Sequence, residues 1–319
     1  GEVVSIRSFV AISCGVSIGV LYIVALTARH GIGVTTDSVH YLAAASNLAE
    51  VGQLVTYTGL PLVSYAPLLS IFCSLGCFLG IKPEVSAVVI NLISYATVVW
   101  LTYVWLDEVI GEQKAALVTA ATVLSPPMIW VVSFVLSEPL FIAVTLAALR
   151  CLWRFAMTRD SWLLICSSVL GSAAALTRYI GVSVIVTSIL FLLLYYYGHL
   201  RKRISHAIMY SLVSGSPVML WLLRNKLRSG SFFGERETSN YPLPEILSDS
   251  YHTLLGWFLP DRAVESLIGY LLGGVAILLL LFLGYAIARR WNQIPQATSA
   301  QISVVTLFVG SYSFLLMLS

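Results

Sequence analysis

Asp37 is the first carboxylate after an apolar stretch that runs from Phe9 to Ala28, and it opens the segment Thr36-Asp37-Ser38-Val39-His40-Tyr41. His40 and Tyr41 follow it at the three- and four-residue spacing that brings side chains to one helical face. A carboxylate held there, beside oil, can take a proton from a nucleophile that meets a lipid-borne substrate at a membrane surface. The same spacing allows a structural role. Thr36 or Asp37 can cap a helix over 38–50 by accepting free backbone N–H groups, and His40 and Tyr41 can pack or anchor at an interface. Capping and proton transfer are compatible, because a capping position also fixes the angle of the carboxylate.

Two further charges stand out. Glu138 lies in Leu136-Ser137-Glu138-Pro139, a sequence that starts a helix with proline in its first turn. It can cap that helix, bind a cation with Asp37, orient an acceptor, or pair with Arg178. Arg178 interrupts an otherwise apolar run from Trp162 to Tyr197 as Thr177-Arg178-Tyr179. An arginine facing lipid at mid-span costs about 2.5–3.5 kcal/mol, so it belongs at the interface or in a polar cavity. Its planar fork of donors suits a phosphate. A third cluster, Arg224-Asn225-Lys226-Leu227-Arg228 followed by Arg236, adds cations after an apolar segment.

Composition sets the medium these residues work in. The chain has 319 residues, 58% hydrophobic and 10% charged, with mean hydropathy +0.89. Soluble domains carry about 25% charged residues. The reading is an all-α, polytopic transmembrane helix bundle forming a single domain over 1–319. A bilayer core needs about 20 apolar residues per helix. On that measure nine spans are expected, near 9–28, 85–106, 115–132, 139–157, 161–177, 180–198, 207–223, 264–287 and 302–318. The stretch 29–84 is expected as an outer loop with interfacial helices, one amphipathic and one over the short apolar run 66–79. A second outer loop is expected over 224–263.

Lys114, Arg150, Arg154, Arg159, Arg201-Lys202-Arg203 and Arg289-Arg290 all fall on one side if the N-terminus is cytoplasmic. That orientation puts Asp37, Glu138 and Arg178 on the extracytoplasmic face. The cations of 224–236 then lie on the translocated side, where they suit an anion, although long loops also carry charge across unaided. The first span reads as a retained anchor, and the final apolar run suggests a native chain that continues. The net charge of +3 is too small to suggest nucleic acid. The five cysteines have no metal-binding spacing, and Cys73 and Cys77 read as packing on one helix face. No phosphate-loop, dinucleotide, zinc-protease or serine-hydrolase motif occurs.

Taken in order, four motifs resemble the GT-C glycosyltransferases, a polytopic superfamily, in the branch of the protein O-mannosyltransferases and aminoarabinose transferases. They are Thr36-Asp37-Ser38-Val39-His40-Tyr41-Leu42-Ala43, Leu136-Ser137-Glu138-Pro139-Leu140-Phe141, Leu176-Thr177-Arg178-Tyr179-Ile180-Gly181, and Trp221-Leu222-Leu223-Arg224-Asn225 followed by Gly230, Gly234 and Arg236. The family often has an Asp-Glu pair in its first loop, where Ser38 follows Asp37 here. The resemblance implies a sugar donor on a polyprenyl phosphate and an acceptor that is a protein, lipid or glycan. Asp37 would be the general base. Arg178, Arg224 and Arg236 would offset the leaving phosphate, with His40, Tyr41, Tyr179 and Asn225 at the substrate. Glu138 would position the acceptor or, with Asp37, a divalent cation. The rival readings are a transporter or flippase of an anionic or lipid-linked substrate, with charges near mid-bilayer, and a non-catalytic membrane subunit, in which Asp37, Glu138 and Arg178 do not converge.

Overall fold

The computed structural model describes residues 16–17, 19–21, 23–29, 31–196, 198–234, 242–256, 264 and 266–318. Part of the expected first span and Arg236 lie outside these residues. Among the described residues the fold is helical, and extended pairing is limited to two isolated bridges, Gly33 with Phe134 and Val55 with Pro61. A short apolar helix α1, Gly19–Ala28, leads in. Two more short helices follow, α2 (Thr36–Val51) and α3 (Leu68–Phe78). Each long helix is then followed by two shorter ones, in the order α4 (Pro83–Ile110), α5 (Glu112–Val123), α6 (Pro126–Val132), α7 (Glu138–Thr158), α8 (Ser161–Thr177) and α9 (Val182–Leu194), before the long α10 (Leu200–Ser229). The chain ends with α11 (Leu243–Gly256), α12 (Leu267–Arg289) and α13 (Gln296–Leu318).

The expected span count of nine is not reached by length and composition among the described residues. Four helices pass, α4, α7, α10 and α13, and a fifth span results if α5 and α6 are taken as one bent element. That bend, 57°, divides the stretch expected as a single span over 115–132. Its cause is in the sequence. Pro126 and Pro127 lack the N–H groups a continuous helix needs, and Ser125 before them takes the extended conformation (φ −64°, ψ 143°) that a following proline favours. Helices α8 and α9 have 17 and 13 residues, short for an independent crossing.

Helices occupy part of the stretch expected as an outer loop over 224–263. α10 runs on to Ser229 and contains Arg224 and Asn225, and α11 occupies Leu243–Gly256. At its other end α10 begins at Leu200 and includes Arg201, Lys202 and Arg203. The stretch 29–84 does carry two short helices, and α3 leaves Phe72, Leu75 and Phe78 exposed, as an interfacial element would.

α7 is central, packing against α8, α4 and α13, while α10 lies on α8 and α9. Leu152, Leu164, Phe191, Leu192 and Tyr210 are fully buried in the largest core cluster. The junction between α8 and α9 depends on Gly181. A Cβ there would lie 2.3 Å from the Ala174 carbonyl oxygen, a backbone atom that cannot yield cheaply. Gly181→Ala is therefore expected to destabilise the protein by roughly 1–3 kcal/mol, read as a lower midpoint in detergent thermal unfolding.

Candidate functional site

Thr35, rather than Thr36 or Asp37, caps α2. Its side chain accepts from the Ser38 N–H, and the Ser38 hydroxyl accepts from the Thr35 N–H in return. The cap leaves the Asp37 carboxylate available for another partner. Ser38 itself is buried and donates to the Val135 carbonyl at 2.7 Å. The position after Asp37 thus faces the interior and ties α2 to the strap before α7. That strap is held twice more, by the Gly33 and Phe134 bridge and by Asn91, whose amide donates to the carbonyls of Val132 and Phe134. The strap delivers Ser137 and Glu138 to the start of α7.

The shared face of Asp37, His40 and Tyr41 forms as its spacing requires, and it meets one residue that the sequence did not single out. The Tyr65 hydroxyl donates to Asp37 Oδ1 at 3.0 Å. Its ring stacks on His40 at 4.9 Å and meets Tyr41 edge-on at 5.3 Å. Burial, then the hydrogen bond to the Asp37 carboxylate, pushes the Tyr65 phenol up to about 12. Tyr65 therefore remains a donor across the physiological range. Burial likewise raises Tyr41 to about 12, against the opposing effects of the Ser137 hydrogen bond and of Arg178. Among the described residues Asp37 Oδ2 has no hydrogen-bond partner, which leaves one carboxylate oxygen available.

Arg178 sits at the break between α8 and α9 in extended backbone (φ −147°, ψ 135°). Its guanidinium pairs with Glu138 at 2.5 Å and donates to the Ser137 hydroxyl, which also accepts from Tyr41. Each partner is about one-third exposed, so the pair adds little to stability and acts mainly to aim the fork. Glu138 Oε2 is buried without a protein partner. The sequence offered this pairing as one of several roles for Glu138, and it missed Ser137 as the hydroxyl between Arg178 and Tyr41.

Tyr179 organises the neighbouring side. Its hydroxyl donates to the Val63 carbonyl at 2.7 Å and accepts from Trp221 Nε1 at 3.0 Å and Asn225 Nδ2 at 3.1 Å. Asn225 is wholly buried, and its amide also donates to the Phe232 carbonyl. The Arg224 guanidinium lies over Trp221 and donates to the carbonyls of Leu62 and Leu54 at 2.8 and 3.0 Å. Arg224 thus binds the loop between α2 and α3 to the end of α10, and Asn225 binds Tyr179 there.

These elements enclose a cavity of about 510 Å³. Asp37, Tyr41, Tyr65, Arg178 and Tyr179 line its polar side, and Ile180, Val182, Phe233, Tyr312, Leu315 and Leu316 its apolar side. A carboxylate and a guanidinium therefore share one chamber with an apolar wall. The wall from α13 was not expected. Its signal was limited to one tyrosine in an apolar run. His40 stands one layer back, against Tyr65 and Tyr57. Among the described residues no three of His, Cys, Asp or Glu gather as a metal-holding group. Asp37 and Glu138 each have one oxygen engaged, by Tyr65 and by Arg178, and these two carboxylates are the candidate holders of a divalent cation.

The fold and this chamber define the class, an integral membrane protein with a polytopic helical fold. Two crystal structures share the architecture. One is ArnT from Cupriavidus metallidurans in the apo state, with a TM-score of 0.56 and 15% identity over 94% of this chain and 59% of that one. The other is ArnT from the same organism bound to undecaprenyl phosphate, with a TM-score of 0.57 and 16% identity over 97% of this chain and 76% of that one. The chain thus spans about 59% of the length of the first relative. No protein-family model and no curated protein matches the sequence.

Asn225→Ala would strip two acceptors of a buried donor while opening space at Tyr179. A loss of about 1–3 kcal/mol is expected, measured as a lowered thermal midpoint of the detergent-solubilised protein. An unchanged midpoint would show that the α10 junction does not depend on this amide.

Proposed function

We propose that the chain is a membrane glycosyltransferase that moves a sugar from a polyprenyl-phosphate donor to an acceptor nucleophile on the extracytoplasmic face. The observation that carries this reading is the shared chamber, in which Asp37 and Arg178 face a common volume with an apolar flank. Further support comes from the fold shared with ArnT, one of whose structures holds undecaprenyl phosphate.

In this mechanism the acceptor O–H or N–H meets the free oxygen of Asp37. The acceptor attacks the anomeric carbon, the bond between that carbon and the phosphate oxygen breaks, and Asp37 takes the acceptor's proton. The leaving group departs as polyprenyl phosphate, an anion that needs charge stabilisation more than it needs a proton. Arg178 supplies that charge. Glu138 and Ser137 hold the Arg178 fork, while Tyr41 and Tyr179 line the substrate's path. Arg224 serves the site by holding the loop that carries Tyr65, and Asn225 by holding Tyr179. Arg236, outside the described residues, remains a further candidate for the phosphate. The apolar wall from α9 and α13 is the place for the first prenyl units.

The cytoplasmic N-terminus belongs to the same proposal. Arg150, Arg154 and Arg159 sit toward the C-terminal end of α7 and Arg201-Lys202-Arg203 at the start of α10, the ends opposite Glu138 and Arg224. That asymmetry is the one the positive-inside rule reads.

Sugar transfer from labelled polyprenyl-phosphate donors in purified membranes tests the base directly. Asp37→Asn is expected to lower turnover by about 10²–10⁴-fold, and full activity would sink the assignment. Tyr65→Phe gives a second outcome. It removes the hydrogen bond that holds Asp37 Oδ1 in place, so kcat is expected to fall by roughly ten-fold, the equivalent of about 1.4 kcal/mol, and an unchanged kcat would break the link between Tyr65 and the base.

A further inference from the structure

A second cavity, of about 410 Å³, lies at the other end of the molecule. It is lined by Phe155, Arg159, Tyr196, Gly198, His199, Lys202, Ser205 and His206. The 21 residues of α7 separate it from Glu138, a distance of roughly 30 Å along the helix. It is therefore distinct from the chamber of Asp37 and Arg178.

Three features set this cavity apart from an ordinary basic surface. Arg159 is the sole non-glycine residue with positive φ (63°) among the described residues. It ends α7 in the left-handed conformation that glycine or asparagine adopts at lower cost. Its guanidinium lies over the Tyr196 ring at 4.1 Å and makes no hydrogen bond or ion pair among the described residues. Next, the aromatic floor is built rather than incidental. Phe155 and Tyr196 stack at 5.2 Å with an interplanar angle of 2°, and His206 meets both edge-on. Last, polar capacity is left over. His206 Nδ1 is buried without a partner, and the first turn of α10 has no side-chain cap for its free N–H groups.

The neighbouring charges do not cancel this. Arg203 is spent on the carbonyls of Gly198 and Leu193, and Asp160 on capping the Trp162 N–H. Lys202 and Arg159 have no carboxylate within ion-pair distance among the described residues, whose bridges all lie elsewhere.

We propose that this cavity binds a phosphate group at the membrane face opposite the sugar-transfer site. Arg159 and Lys202 would supply the charge, and the α10 N-terminus the backbone donors. The phosphate comes either from an anionic phospholipid headgroup or from free phosphate in solution, and the site does not depend on the proposed enzymatic activity.

The test uses the full chain purified in detergent, wild type against Arg159→Gly with Lys202→Gln. Glycine relieves the left-handed strain, so loss of binding in this variant is not a folding defect if its thermal midpoint is kept. Arg154→Gln, an exposed cation at the same end but outside the cavity, is the control. In one arm, native mass spectrometry follows retention of phosphatidylglycerol over phosphatidylcholine. In the other, inorganic phosphate is titrated at matched ionic strength while the melting temperature is read. Phosphatidylglycerol retention falling at least about five-fold in the double variant alone identifies a lipid headgroup. A phosphate-dependent rise in melting temperature, present in wild type and absent in the variant, identifies free phosphate. Equal behaviour of wild type and double variant in both arms overturns the proposal, as does an equal loss in Arg154→Gln.

Discussion

A break in the backbone between two apolar helices has to be satisfied from within the protein, because lipid offers no hydrogen bonds. At Arg178 and Tyr179 that demand shapes the surrounding structure. The Tyr179 hydroxyl uses its donor on the loop after α2 and accepts from two side chains of α10. One phenol thereby ties together the α8–α9 junction, the loop bearing Tyr65 and the end of the longest helix. Arg178, displaced from either helix by the same break, is turned toward Glu138 and Ser137. The polar half of the chamber follows from closing this gap.

Division of labour among the charges follows from their surroundings. Arg224 has two short contacts to backbone carbonyls and a tryptophan face beneath it, so its charge is committed to holding a loop. Arg178 keeps a third of its side chain exposed at the chamber. Asp37 keeps one oxygen clear because Thr35 and Ser38 cap the helix in its place. A residue pattern that offers several carboxylates and arginines becomes specific once the backbone decides which of them are already satisfied.

Much of this was legible in the sequence because it was local. The 3.6-residue period put Asp37, His40 and Tyr41 on one face, and Ser-Glu-Pro marked the start of α7 at Glu138. The interruption at Thr177-Arg178-Tyr179 in an apolar run marked the α8–α9 break, and pairing with Arg178 was one of the roles open to Glu138. Long-range contacts were not legible. Tyr65 reaches Asp37 across 28 positions, and Arg224 reaches Leu54 across 170. Hydropathy also misjudged continuity. It read 115–132 as one span across the Pro126-Pro127 bend, and it ended the seventh span at Leu223 although charged residues continue the helix to Ser229. Lys226 and Arg228 there sit in the last turn, where cations suit the helix dipole.

The central claim is that a polyprenyl phosphate enters the chamber with its phosphate at Arg178 and its first prenyl units on α9 and α13. Photo-crosslinking with a polyprenyl phosphate carrying a diazirine in its first isoprene units, followed by peptide mass spectrometry, tests it most directly. The account predicts labelling of the peptides bearing Ile180 and Val182 and those bearing Tyr312 and Leu315, suppressed by unlabelled undecaprenyl phosphate. Competable labelling confined to helices that do not line the chamber, such as α5 or α12, would contradict it.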